Sequence, residues 1–410
     1  MKQLCLFINA MLITAVVFGQ HGINNIYSAY GIGDVQLRDF NGYNGMGSLS
    51  AAMPSVITLN EANPASYGAL PTSRLILELS LSGKSVTYTS QNNQFNGGDF
   101  GIRKGAIGFS LFKNWGTSFG LRRYSSVDYK TTGTRYLEGT TAQLASAIEG
   151  NGGLNQYFFS NGVRIKKHLN LGLSVTYLSG SVNRLETVST NNAATLKVDE
   201  NKYYGQFVFN TGFQYQFKTG KLNWIAGGSY QPQRTLNTIE DHAVKDASGN
   251  TLVQDNEITG TFKYPAIWSA GLTAYNDAWR VGADYISQDW TKVKYSGNGF
   301  QTTTASNFSV GVSHSKPKRT VWGYVDGPTL SVGFNMDKSY LVLDGNQVTS
   351  YAGTMGITLP SANRFYHYNA ALKIGQRGSK VYPLVKETFV ELNLNFNLAT
   401  IMYVGGRKYD

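Results

Sequence analysis

The groups able to bind a metal or move a proton are few in this sequence and badly placed to cooperate. Its 410 residues include one cysteine and five histidines. His21, His168, His242, His314 and His367 show none of the short spacings by which two ligands on one element reach the same ion. Cys5 lies at the start of an apolar N-terminal run and is not placed as a lipoprotein anchor. Asp284 and Asp289 are separated by an odd number of positions, so on a strand they point to opposite faces and cannot share a proton. Asp284 with Arg280 reads as an ion pair inside a wall. Glu240-Asp241 and Asp199-Glu200 fall at segment edges. Gly31-Ile32-Gly33-Asp34 has the glycines of a phosphate loop but neither the preceding strand nor the following helix that such a loop needs. The sequence therefore predicts no enzyme, no cofactor and no metal site.

What must hold these residues is a β architecture. Charged residues are 15% of the chain and aromatics 13%, with 46 glycines and 26 tyrosines. Average globular domains carry about 25% charge and roughly 7% glycine. From residue 74 the pattern alternates apolar and polar almost without interruption. Val390, Leu392, Leu394, Phe396 and Leu398 interleave with Glu391, Asn393, Asn395 and Asn397. Similar stripes run through Leu75–Leu81, Leu169–Tyr177, Phe207–Phe217 and Tyr366–Ile374. Segments such as 169–186, 201–217 and 257–275 are longer than soluble strands usually are, and long enough to cross a bilayer at a tilt. Tight turns at 114–116, 167–168, 218–221 and 276–278 alternate with long polar stretches at 91–103, 132–153, 187–200 and 237–256. Short turns on one side and long loops on the other mark a transmembrane antiparallel barrel, here of about fourteen strands with both termini in the periplasm. Within one long stretch, Thr141–Glu149 reads as a short helix on the rim. The net charge of +11 is scattered, with Lys113, Lys166, Lys218 and Lys221 in turns, so no nucleic-acid partner is expected.

The N-terminus divides the chain further. Met1-Lys2 and the apolar Leu4–Val17 predict a signal peptide over 1–19, cleaved after Gly19, which leaves a chain without thiols. Residues 20–73 lack any period but carry the apolar anchors Ile23, Ile26, Tyr30, Ile32, Met46, Leu49, Met53, Val56 and Ile57. This predicts a packed plug, with 74–410 as the barrel.

Tyr30-Gly31-Ile32-Gly33-Asp34, Gly45-Met46-Gly47 and Asn63-Pro64-Ala65-Ser66-Tyr67 together resemble the N-terminal region of FadL-like outer-membrane proteins. The likeness continues through Gly152–Gln156, Gly282–Tyr285 with Trp290, Gly375–Gly378 and Arg407–Asp410. It implies a monomeric fourteen-strand barrel in outer-membrane lipid, its lumen closed by a hatch to which Gly45, Gly47, Asn63, Pro64 and Ala65 would belong. It also implies hydrophobic small molecules, fatty-acid-like, as cargo, with lateral exit through the wall. The ending Ala399–Gly406 departs from that family's polar-aromatic ending. Related barrels of the same fold include the PorV-type subunit of type IX secretion, which binds other envelope proteins instead.

Overall fold

The computed structural model describes residues 25–401 apart from 37–39, 73, 92, 137–142, 167, 190–194, 294–298, 317, 321–322, 326 and 362–364. The expected signal peptide, Ile23 and the C-terminal Arg407–Asp410 lie outside the described residues.

Fourteen antiparallel strands form the wall. They are β1 (Arg74–Thr89), β2 (Gln94–Phe112), β3 in two pieces (Trp115–Arg123 and Ser125–Tyr136), β4 (Gln143–Ile165), β5 (Leu169–Ser189) and β6 (Thr195–Thr219). β7 is Leu222–Gln231 then Arg234–Lys245, and β8 is Thr251–Tyr264 then Ala266–Tyr275. The rest are β9 (Trp279–Asp289), β10 (Ala305–Ser315), β11 (Thr329–Leu343), β12 (Asn346–Pro360), β13 (Tyr366–Arg377) and β14 (Lys386–Ile401). β1 pairs with β14 in unbroken register from Arg74 opposite Ile401 to Thr89 opposite Lys386, which closes the cylinder. Closure leaves no sheet edge in the hydrocarbon, where unpaired backbone groups would have no water to bond.

The side chains sort as the alternation requires. Leu171, Leu173, Phe207, Phe213, Leu330, Val332 and Met355 are exposed on the outside, where lipid would cover them, while Asn170, Ser174, Gln214, Asn335, Asn393, Asn395 and Asn397 are buried inside. Trp115, Trp268 and Trp279 stand on the outer face as interfacial anchors, but Trp290 is fully buried in the lumen.

The wall is lopsided. β4 has 23 residues and β6 has 25, whereas β9 and β10 have 11 each. Eleven residues already suffice for a membrane crossing at a tilt. The polar stretches expected as long loops are therefore largely strand: β3 to β8 continue past the membrane as a six-stranded outer sheet. The helix expected over 141–149 is corrected in the same way. From Gln143 that segment is β4, paired to β3 on one side and β5 on the other. Two rows of interstrand hydrogen bonds outweigh the few tenths of a kcal/mol per residue by which Ala, Gln and Leu favour a helix. Between β10 and β11, the thirteen residues 316–328 contain a small hairpin, Lys318–Thr320 against Gly323–Val325.

Candidate functional site

Residues 40–70 fill the lumen, and they do so because the inner wall has been stripped of side chains at their level. Gly116, Gly162, Gly172 and Gly212 are direct cross-strand neighbours on β3, β4, β5 and β6. Gly282, Gly311 and Gly333 continue the belt on β9, β10 and β11. A Cβ at Gly162 would meet the Pro64 carbonyl oxygen at 2.6 Å, and one at Gly172 would strike the Pro64–Ala65 peptide itself. One at Gly311 or Gly333 would meet the Met46–Gly47 backbone. Glycine weakens a strand, and its recurrence in one ring reflects close backbone approach.

Of the hatch residues expected from the sequence, Gly47, Asn63, Pro64 and Ala65 meet this belt. Asn63 caps the 3-10 turn Pro64–Ala69 by accepting from the Ala65 N–H at 3.1 Å. Its amide donates to the carbonyls of Ala51 (2.6 Å) and of Phe213 on β6 (3.1 Å). Pro64 and Ala65 lie against β4 and β5. Gly47 takes a left-handed turn at φ 72°. Gly45 serves a different need: its Cα sits against Gly356 of β12, and a side chain there would clash with Ser331. Thr354 clamps both, donating to Gly45 O and accepting from Gly47 N–H at 3.0 Å each.

Charges complete the anchoring. Lys104 of β2, fully buried, donates to Glu78 of β1 at 2.7 Å, to Glu61 of the plug at 2.9 Å and to the Leu59 carbonyl at 2.7 Å. Glu78 also accepts from Leu59 N–H (2.6 Å) and Thr58 Oγ1 (2.8 Å). Asp284 is not the partner of Arg280, as the sequence suggested. It accepts from the Ser50 and Ala51 N–H groups of the plug, while Arg280 lies over the Tyr43 and Tyr275 rings. Inward asparagines from three strands are likewise spent on the plug: Asn395 reaches Phe40 O, Asn369 reaches Gly42 O and Asn335 reaches Gly47 O. Among the expected anchors, Val56 is the exception. It is exposed, beside a cavity of about 280 Å³ that opens between plug and wall near Asn276, Trp279 and Pro360.

Nearer the outer end, the wall of β3 breaks at Tyr124, whose side chain turns into the lumen. Positive φ angles at Gly152 and Gly153 let β4 follow that break, and Tyr124 N–H bonds Leu154 O at 2.8 Å. Asp34–Val35 adds as a short strand to Ser125–Ser126 at this point, and Arg377 holds Asp34 at 2.9 Å. The N-terminal segment thus covers the break from within. Above the plug lies an apolar layer of Tyr27, Ile32, Tyr124, Leu154, Leu178, Val208, Leu236, Tyr264, Trp290 and Tyr340. Trp290 stacks on Tyr340 at 4.2 Å, and Tyr124 packs on Tyr264 at 5.5 Å. Burial pushes the Tyr27 phenol up to about 12, against the lowering influence of its bond to the Val385 carbonyl and of Arg377, so it remains a neutral donor. Sequence reasoning placed none of these inward aromatics. The prolines at 232 and 265, which interrupt β7 and β8 just before Leu236 and just after Tyr264, were the available signal.

A sequence model of the BamG family matches residues 1–410, the whole chain. The chain belongs to the BamG family. Its fold is that of FadL-type barrels: the Ralstonia pickettii toluene transporter TbuX superposes with a TM-score of 0.58 at 16% identity, covering 88% of this chain and 98% of that one. The toluene transporter TodX of P. putida gives 0.58 at 14% identity, with 90% and 100% covered. A Pseudomonas aeruginosa FadL homologue gives 0.58 at 12%, with 90% and 99% covered. Comparison with curated proteins finds no match. At such identities the barrel is shared, and the function of this BamG-family chain has to be argued from its own interior.

Proposed function

We propose that this barrel is a closed outer-membrane subunit of a protein secretion or envelope assembly complex, contributing surface to partner proteins rather than a route for solutes. The observation that carries this reading is the filled interior. The plug touches wall glycines around the barrel, buried charges fix it at several points, and the apolar layer where a greasy ligand would sit is occupied by the protein's own aromatics. The cavities that remain mix charged and amide side chains with apolar ones, and the cavity beside Val56, of about 280 Å³, has Met46, Ile57 and Trp279 in its wall. One of about 150 Å³ has Lys84, Arg103, Lys373 and Glu391 in its wall, and one of about 70 Å³ has Arg122, Gln156, Gln231 and Gln288. Drug-sized ligands occupy mostly apolar pockets of roughly 300–1,000 Å³.

Gentle extraction from the native membrane tests this directly. The complex reading expects other envelope proteins to co-purify in fixed ratio, with native mass spectrometry showing no lipid-like adduct on the barrel. An isolated monomer carrying such an adduct would refute it.

The break at Tyr124 favours a second reading, passive uptake of hydrophobic, fatty-acid-like compounds, and the fold-sharing barrels TbuX and TodX are toluene transporters. Uptake would require residues 25–36 to leave the break. Deleting residues 40–66 from an intact barrel should then raise detergent and antibiotic leakage.

A further inference from the structure

Apart from the 3-10 turn Thr291–Val293, which follows Trp290 against this strand, the outer sheet ends on an edge that nothing in the described structure covers. The first piece of β8, Thr251–Tyr264, pairs with β7 on one side only. Its continuation below Pro265 pairs with both β7 and β9, so the barrel wall is intact there. Above it, β9 stops at Asp289, and among the described residues no strand lies beside Thr251–Thr261. Every residue of that stretch is exposed, so both faces are bare as well as the edge. Leu252, Val253 and Ile258 are 57%, 54% and 47% exposed.

Proteins ordinarily protect such an edge with lysine, proline, shortness or a bulge. Here no proline or lysine occurs between Thr251 and Phe262. A bulge at Asn256–Glu257, where Glu257 has φ 58° and donates its N–H to Asp241 at 2.9 Å, divides the edge into two runs without capping either. What the far part of the hairpin carries instead is an excess of acidic charge, of which Glu240 is paired with Lys202 of β6 at 3.0 Å. Residues 237–261 hold Glu240, Asp241, Asp246, Asp255 and Glu257 against Lys245, a net −4 on a chain of net +11.

We propose that the Thr251–Thr261 edge receives an extended, basic segment of another envelope protein, added as a further antiparallel strand. Backbone groups supply the affinity in such strand addition, and side-chain charge selects the partner. A second copy of this chain is the wrong occupant, because antiparallel self-pairing would bring Asp255 and Glu257 against their own likenesses. The inference deepens the complex-subunit reading and rests on it for the existence of a protein partner.

The test uses the full-length barrel in detergent micelles and two probes. One is a ten-residue peptide of alternating Thr and Val bearing three Lys; the other carries Glu in place of Lys. Hydrogen exchange at 251–261 is expected to slow about tenfold with the basic peptide and to stay unchanged with the acidic one. Neighbouring amides of a strand point to opposite edges, so Thr259→Pro and Gly260→Pro separate the two sides. One should abolish peptide protection while 237–245 stays protected; the other should loosen the hairpin itself. Absence of protection by the basic peptide, equal protection by both peptides, or a concentration-dependent dimer that protects the same amides would each overturn the proposal. If envelope proteins still co-purify in that event, the edge is refuted and the complex-subunit reading survives.

Discussion

Replacing Lys104 by methionine should unlatch the plug without harming the wall. Methionine keeps most of the side chain's length and apolar bulk. It removes the one cation that lies 2.7 Å from Glu78 and 2.9 Å from Glu61, at a site where all three side chains are buried. Breaking a buried pair by deleting one partner costs about 3–5 kcal/mol, because the remaining charge is left without solvent or counterion. Two carboxylates are stranded here. Arg122 lies 3.5 Å from Glu61 and compensates in part, so the lower end of the range applies to Glu61. Since 1.4 kcal/mol is a factor of ten, the plug's opening equilibrium should rise between about 10²-fold and a few thousand-fold. The assay is hydrogen exchange over residues 57–62 in the purified barrel, alongside entry of bulky antibiotics into cells making the variant. Heat-modifiable migration on gels confirms that the barrel has folded. Adding Glu78→Gln to the variant should recover part of the loss, since one stranded charge is then gone. If exchange at 57–62 is unchanged in a folded Lys104→Met barrel, the buried cluster does not hold the plug and the reasoning fails.

Three other perturbations probe separate parts of the interior. Gly172→Val places a branched side chain where Pro64 and Ala65 lie, and should dislodge the 3-10 turn, seen as proteolytic cleavage near residue 64 in a barrel of unchanged strand content. Asp284→Ala leaves the Ser50 and Ala51 N–H groups without their acceptor and should cost about 1–3 kcal/mol, read as faster exchange at 49–52 only. Trp290→Ala empties the centre of the aromatic layer at about 3–5 kcal/mol and should create room for a small arene; toluene binding by calorimetry in the variant but not the parent would bear out a layer that blocks ligands, and equal binding in both would contradict it.

How much of this was legible beforehand follows from what alternation records. Period two reports a strand with one face in lipid and the other in the lumen, so the wall and its tight turns could be read from residues such as Leu392 and Asn393. It is silent where both faces meet water, which is why Thr251–Asn256 and Gln143–Gly150 passed for loop or helix although they are paired strands. The plug motifs were visible as glycine, asparagine and proline, but their counterpart was not. Gly162, Gly172 and Gly311 look like incidental breaks in their stripes until the registers align them in a ring. Asp284 was recognised as inward-facing, yet its partners are backbone amides, which no side-chain spacing announces.

The seam between Arg74 and Ile401 bears on how such an object can be made. The strands it joins stand at opposite ends of the wall sequence, so zipping them is the contact of longest range and the slowest to find. Residues 40–70 precede the first of those strands, and once the ring has shut they could get inside only by threading through an end. Biogenesis must therefore seat the stopper on a still-curling ribbon, so that bare stretches of wall and stopper template one another before the last hydrogen bonds make the enclosure permanent.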